Sequence, residues 1–115
     1  MKYIKLYENN WSEEETFLYH MRHDDIQRMI QQLDKININS FFDADYTLLI
    51  TACLECRYTG IKFLLTNGAD PYLINKYGHD AYYYADKKGK KLFTKLFPDF
   101  HEKRELHKIA NKYNI

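Results

Sequence analysis

Apolar side chains recur along this chain at helical spacing, in pairs of short runs separated by longer polar stretches. Trp11-Ser12-Glu13-Glu14-Glu15 reads as a helix start, with Ser12 as N-cap and Glu15 completing a capping box. The three acids also suit the positive end of the helix dipole. Phe17, His20 and Met21 then share one face. After Asp24-Asp25, a second run carries Ile26, Met29, Ile30 and Leu33 at i, i+3, i+4 and i+7. Two short apolar-striped helices joined by a tight turn make a helical hairpin.

The same pair follows twice more. Thr47 caps a helix bearing Leu48, Leu49, Ala52 and Cys53, and its partner bears Ile61, Leu64 and Leu65 before Asn67-Gly68. In the third unit Asp80 caps a helix through Tyr82 and Ala85, and Gly89 is expected at the turn. The following helix buries Leu92, Phe93, Leu96 and Phe97 before Pro98 stops it. Residues 99–113, with Leu106, Ile109 and Tyr113 in helical register, predict a last amphipathic helix that covers the end of the stack. Two loops, 35–46 and 68–79, separate the hairpins. Gly68 suits a left-handed helix C′ position and Gly78 a turn at the second loop's tip.

The units keep a fixed step. Thr47 to Asp80, Ala52 to Ala85, Cys56 to Gly89 and Asn37 to Asp70 are each 33 apart, and the first hairpin matches the second at 32. A period of this length marks stacked supersecondary units. Asn75-Lys-Tyr-Gly78-His-Asp80-Ala-Tyr82-Tyr-Tyr-Ala85 and Gly68-Ala69-Asp70 resemble the ankyrin repeat at its turn, inner helix and outer-helix exit. The proline usual after the cap is replaced by Leu48 and Ala81, and the usual histidine by Ile50 and Tyr83. The resemblance implies an all-α ankyrin-repeat solenoid of about three helical-hairpin repeats, with β-turn loops and a C-terminal capping helix. A degenerate first repeat would span about 12–39, the second 42–74, the third 75–97 and the cap 99–113.

Composition fits one soluble domain: 115 residues, 45% hydrophobic and 29% charged. No apolar run approaches the ~18 residues of a membrane span, and the first eight residues lack a signal-type apolar core, so a cytosolic setting is expected. Net charge is +1, yet residues 1–60 carry net −4 and residues 61–115 net +5. Such segregation either steers a partner or is an ordinary solvated surface.

Chemistry finds little support. Cys53-Leu-Glu-Cys56 is a CxxC, but it falls at a helix C-terminal end, where the dipole favours the protonated thiol. It also lacks the second pair that structural zinc needs. His20 and His23 with Asp24 have metal-like spacing but no further ligand. No phosphate loop, nucleophile elbow or zincin motif occurs. Neither catalysis, cofactor nor metal is expected. Lys87-Lys88-Gly-Lys90-Lys91 after Tyr82-Tyr83-Tyr84 has the makings of a nucleic-acid patch, though an acidic protein surface is the more natural complement.

Ankyrin-like stacks bind through loop tips and the exposed face of the inner helices, a surface that in this register comprises Asp43, Ala44, Tyr46, Lys76, Tyr77 and His79 at the tips. Leu54, Glu55, Lys87 and Lys88 would sit at inner-helix ends. The expected function is therefore a non-enzymatic, monomeric protein-binding module that blocks or sequesters a partner, as an inhibitor, an immunity protein or an effector does. A self-associating structural subunit and a nucleic-acid adaptor are the alternatives. Neither a small-molecule substrate nor a membrane is expected among its partners.

Overall fold

Each stretch with helical apolar spacing closes into a helix in the computed structural model, which describes residues 11–42 and 45–113. In chain order these are α1 (Glu13–Arg22), α2 (Ile26–Gln32), α3 (Leu48–Leu54), α4 (Tyr58–Thr66), α5 (Ala81–Tyr84), α6 (Lys87–Leu96) and α7 (Phe100–Tyr113). A 3-10 turn, Leu33–Lys35, prolongs α2. No β-strand forms among the described residues, so the architecture is all-α. No helix among them is long and apolar enough to cross a membrane.

The caps read from the sequence are made. Ser12 Oγ accepts the Glu15 N–H at 3.1 Å while the Ser12 N–H donates to Glu15 Oε1 at 2.9 Å. Thr47 Oγ1 accepts from Ile50 N at 3.1 Å, and Asp80 Oδ1 from Tyr83 N at 2.9 Å. Each such bond satisfies an orphan donor and is worth about 1 kcal/mol.

The first two hairpins turn alike. Asp24 and Cys56, 32 residues apart, both take left-handed φ, at 52° and 55°. Asp25 N donates to His20 O at 2.9 Å, and Arg57 N to Ala52 O at 2.9 Å. The third hairpin departs from the expected register. Helix α5 has only four residues, and Ala85 adopts extended backbone that ends it. Asp86 then caps α6, its Oδ1 accepting from Gly89 N at 2.8 Å. Gly89 is therefore no turn residue: it lies buried inside α6. Its structural counterpart is Gly60, the third residue of α4 as Gly89 is of α6. A Cβ at Gly60 would meet Met21 Sδ at 2.6 Å, and one at Gly89 would meet Ala85 Cβ at 3.2 Å. Glycine here admits a close neighbour at some cost in helix propensity.

The loops repeat as well. Asn37 Oδ1 accepts from Asn39 N, and 33 residues on Asp70 Oδ1 accepts from Tyr72 N. Asn39 ties the two loops together, donating to Gly68 O at 3.2 Å and accepting from Asp70 N at 2.7 Å. In the second loop Asn75 Oδ1 accepts from both Tyr77 N and His79 N, closing a tip around Gly78 at φ 80°.

Packing runs within and between hairpins: α1 on α2, α3 on α4 and α5, and α4 on α6. The core comprises Phe17, Met21, Met29, Leu48, Leu49, Ile50, Ala52, Cys53, Ile61, Leu64, Phe93 and Phe100, all within 1% of full burial. The molecule measures 49 × 27 × 24 Å. Helix α7 covers the last hairpin, but with a different face from the one expected. Phe100 is buried against Tyr82 and Phe93, with ring centroids at 5.1 and 5.2 Å. Arg104 grips Asp80 through Nε and Nη2 at 2.8 and 3.2 Å, and His107 stacks on Tyr72 at 4.3 Å. This aromatic and bidentate face outcompetes Leu106, Ile109 and Tyr113, which stay exposed.

Candidate functional site

Three of the residues expected to bind come together between the first loop and the ends of α1 and α3. Tyr46, Leu54 and Glu55 line a shallow cleft of about 260 Å³ with Leu18, Arg22, Phe42 and Thr51. Leu54, the last residue of α3, is 45% exposed, whereas Tyr46 packs half-buried on the core. Tyr46 is thus partly a structural residue, a correction to its reading as a free tip. Glu55 is held by Arg22, with Nε–Oε1 at 2.8 Å and Nη2–Oε2 at 2.5 Å. That bidentate bond pulls the Glu55 carboxyl below its usual range and raises the Arg22 guanidinium.

The second loop carries the next group. Lys76 Nζ lies 3.4 Å from Asp45 Oδ1, an ion pair without hydrogen-bond alignment, and 5.2 Å from the centre of the Tyr77 ring. Lys76 thus bridges a carboxylate of the first loop and an aromatic ring of the second. Asp45 is the main reason its ammonium is held above the usual range. Tyr77 is 59% exposed. His79 is half-buried and stacks face to face on Tyr83 of α5, 3.8 Å between centroids and 4° between planes. Asp43 and Ala44 lie outside the described residues.

Lys87 and Lys88 do not join this surface. The shortened α5 moves them from an inner-helix end into the first turn of α6, where Lys88 sits over the Tyr58 ring at 4.7 Å. Lys87 lines a separate cleft with Tyr82, Lys90, Lys91 and His101. Sequence reasoning missed Arg22, Phe42 and Tyr83. For Arg22 a signal was present: it stands 33 residues before Glu55, opposite charges one repeat apart.

No protein-family model, no characterised protein and no solved structure matches the chain.

The chemistry-bearing residues are occupied elsewhere. Cys53 is buried, and burial above all raises its thiol pKa. Cys56 is exposed, its Sγ 3.5 Å from Asp86 Oδ2. The Tyr58 hydroxyl donates to that same oxygen at 2.5 Å, which pushes the phenol up to about 12 and holds the Asp86 carboxyl down. His23 Nδ1 lies 2.7 Å from the Tyr19 carbonyl, which can only accept, so this nitrogen carries the proton. Among the described residues no three His, Cys, Asp or Glu side chains gather in a group that could hold a metal ion.

Proposed function

We propose that this chain is a protein-binding module without a reaction of its own, an ankyrin-type stack of three hairpins that blocks or sequesters a partner. The carrying observation is the Asp45–Lys76 bridge, which joins the two loop tips beside exposed Tyr77. A second patch is the cleft in which Leu54 offers apolar surface with Phe42 and Tyr46. Rigid aromatic rings and a leucine among paired charges give contact area at low entropy cost, the composition of binding anchors. The turns shared by the first two hairpins at a step of 32, and the loop hydrogen bonds that recur at a step of 33, support the repeat reading.

Immobilised wild-type protein, exposed to an extract of its source cells, is expected to retain a discrete partner. Leu54→Asp and Tyr77→Ala should each abolish that retention while thermal unfolding shifts little, because both side chains are exposed. Leu106→Asp, on the far helix, should leave it intact. Equal retention by wild type and both surface variants would sink the proposal.

A further inference from the structure

We propose that α7 pairs antiparallel with the α7 of a second copy, making the protein a weak, reversible homodimer. The motive is the apolar stripe that α7 leaves uncovered: Leu106, Ile109 and Tyr113 are 60%, 48% and 63% exposed. With Glu102 these positions step by four, three and four residues, the spacing of a coiled-coil seam. At about 3.6 residues per turn the stripe lies opposite Phe100, Arg104 and His107, the face that holds α7 to its own chain. A second helix can therefore approach without displacing anything.

Charge chooses the occupant. Glu105 and Lys112 border the stripe on one side, two turns apart. In an antiparallel pair about a two-fold axis, that side meets the same side of the other copy. Glu105 then faces Lys112 of the second copy, and Lys112 faces its Glu105. A parallel pair in register sets each charge level with its own copy and loses both bridges. Among the described residues Glu105 pairs with Lys108 at 3.6 Å, an exposed contact that leaves it able to turn. On the stripe's other side Lys103 is held by Asp99 at 3.2 Å.

The interface is small. Helix α7 is about 21 Å long, and one stripe of three side chains covers less than the ~800 Å² per partner of a standard interface. Dissociation constants between about 10 μM and 1 mM are therefore expected. This surface is distinct from the loop tips, so either proposal can fail alone.

Sedimentation equilibrium of the full chain across that concentration range tests the pairing. Wild type should rise from monomer towards dimer mass, while Leu106→Asp and Ile109→Asp stay monomeric with unchanged circular dichroism. If an Asp variant loses helix, Leu106→Gln, which keeps a good helix former, takes its place. Glu105→Lys should weaken association roughly tenfold, and Lys112→Glu added to it should restore the wild-type constant. Wild type that stays monomeric throughout overturns the proposal, including the case in which it instead binds anionic vesicles through its lysines. So does dimerisation that survives the stripe substitutions, and failure of the double charge swap overturns the antiparallel register.

Discussion

At the scale of single residues, small side chains decide how closely the hairpins approach. Ala52 is fully buried in α3, the helix that packs on both α4 and α5. Three added heavy atoms have no room, so Ala52→Leu should destabilise by about 1–3 kcal/mol, measured by urea unfolding. Gly60 and Gly89 serve the same purpose at the third position of α4 and α6, where an added Cβ would meet Met21 of the first hairpin and Ile61 of the second. Cys56 shows a different constraint, since its left-handed φ matches that of Asp24 one unit earlier. The sequence register put Cys56 at a turn correctly, but paired it with Gly89, which the structure places inside a helix. A step of 33 aligned the letters there, whereas the glycines that share a helix position, Gly60 and Gly89, are 29 residues apart.

At the scale of elements, caps and dipoles govern where helices begin, and in α6 the two are opposed, the Asp86 cap favouring the start and the dipole disfavouring it. Helix α6 opens with Lys87 and Lys88 and has no acid in its first turn. Cations at the positive end of the dipole are unfavourable, each by roughly 0.3–1 kcal/mol. Lys87→Glu reverses the sign and should raise stability by about 0.5–1 kcal/mol, seen as a higher melting temperature. Lys88 makes a poorer test because its ammonium also rests over Tyr58. Helix α5, four residues long, was not legible as short, because Tyr82, Tyr83 and Tyr84 continue a helical pattern into Ala85. The Asp86 cap on Gly89 ends it, and a capping aspartate is indistinguishable by type from a surface one.

At the scale of the whole molecule, charged pairs join parts distant in sequence. Arg22–Glu55 links the first hairpin to the second, Asp45–Lys76 the two loops, and Arg104–Asp80 the last helix to the third hairpin. Two carboxylates, Glu55 and Asp86, shape the acid response. The Glu55 carboxyl is lowered chiefly by its bond to Arg22, and the Asp86 carboxyl chiefly by its bond from Tyr58. Unfolded Glu and Asp titrate at about 4.3 and 3.9. A group with a lowered folded pKa adds stability above the unfolded value and loses it as pH falls through the folded one. Urea unfolding at a series of pH values from about 7 to 3 should show stability falling below about 4.5. Glu55→Gln should flatten part of that fall, and an unchanged slope would rule Glu55 out as a contributor.

The sequence by itself determined where the helices form, the Ser12, Thr47 and Asp80 caps, and the first two hairpin turns. All of these depend on interactions within a few residues, or on apolar spacing that any helix must bury. Only the tertiary structure decided that α5 stops early, which moves Lys87 and Lys88 off the candidate binding surface. It also seats Tyr46 partly in the core and turns Leu106, Ile109 and Tyr113 outward. Each outcome is a contest between two faces or registers of similar local propensity. The winner is set by what stands opposite in space: Tyr82 and Phe93 for Phe100, Asp80 for Arg104, Tyr72 for His107.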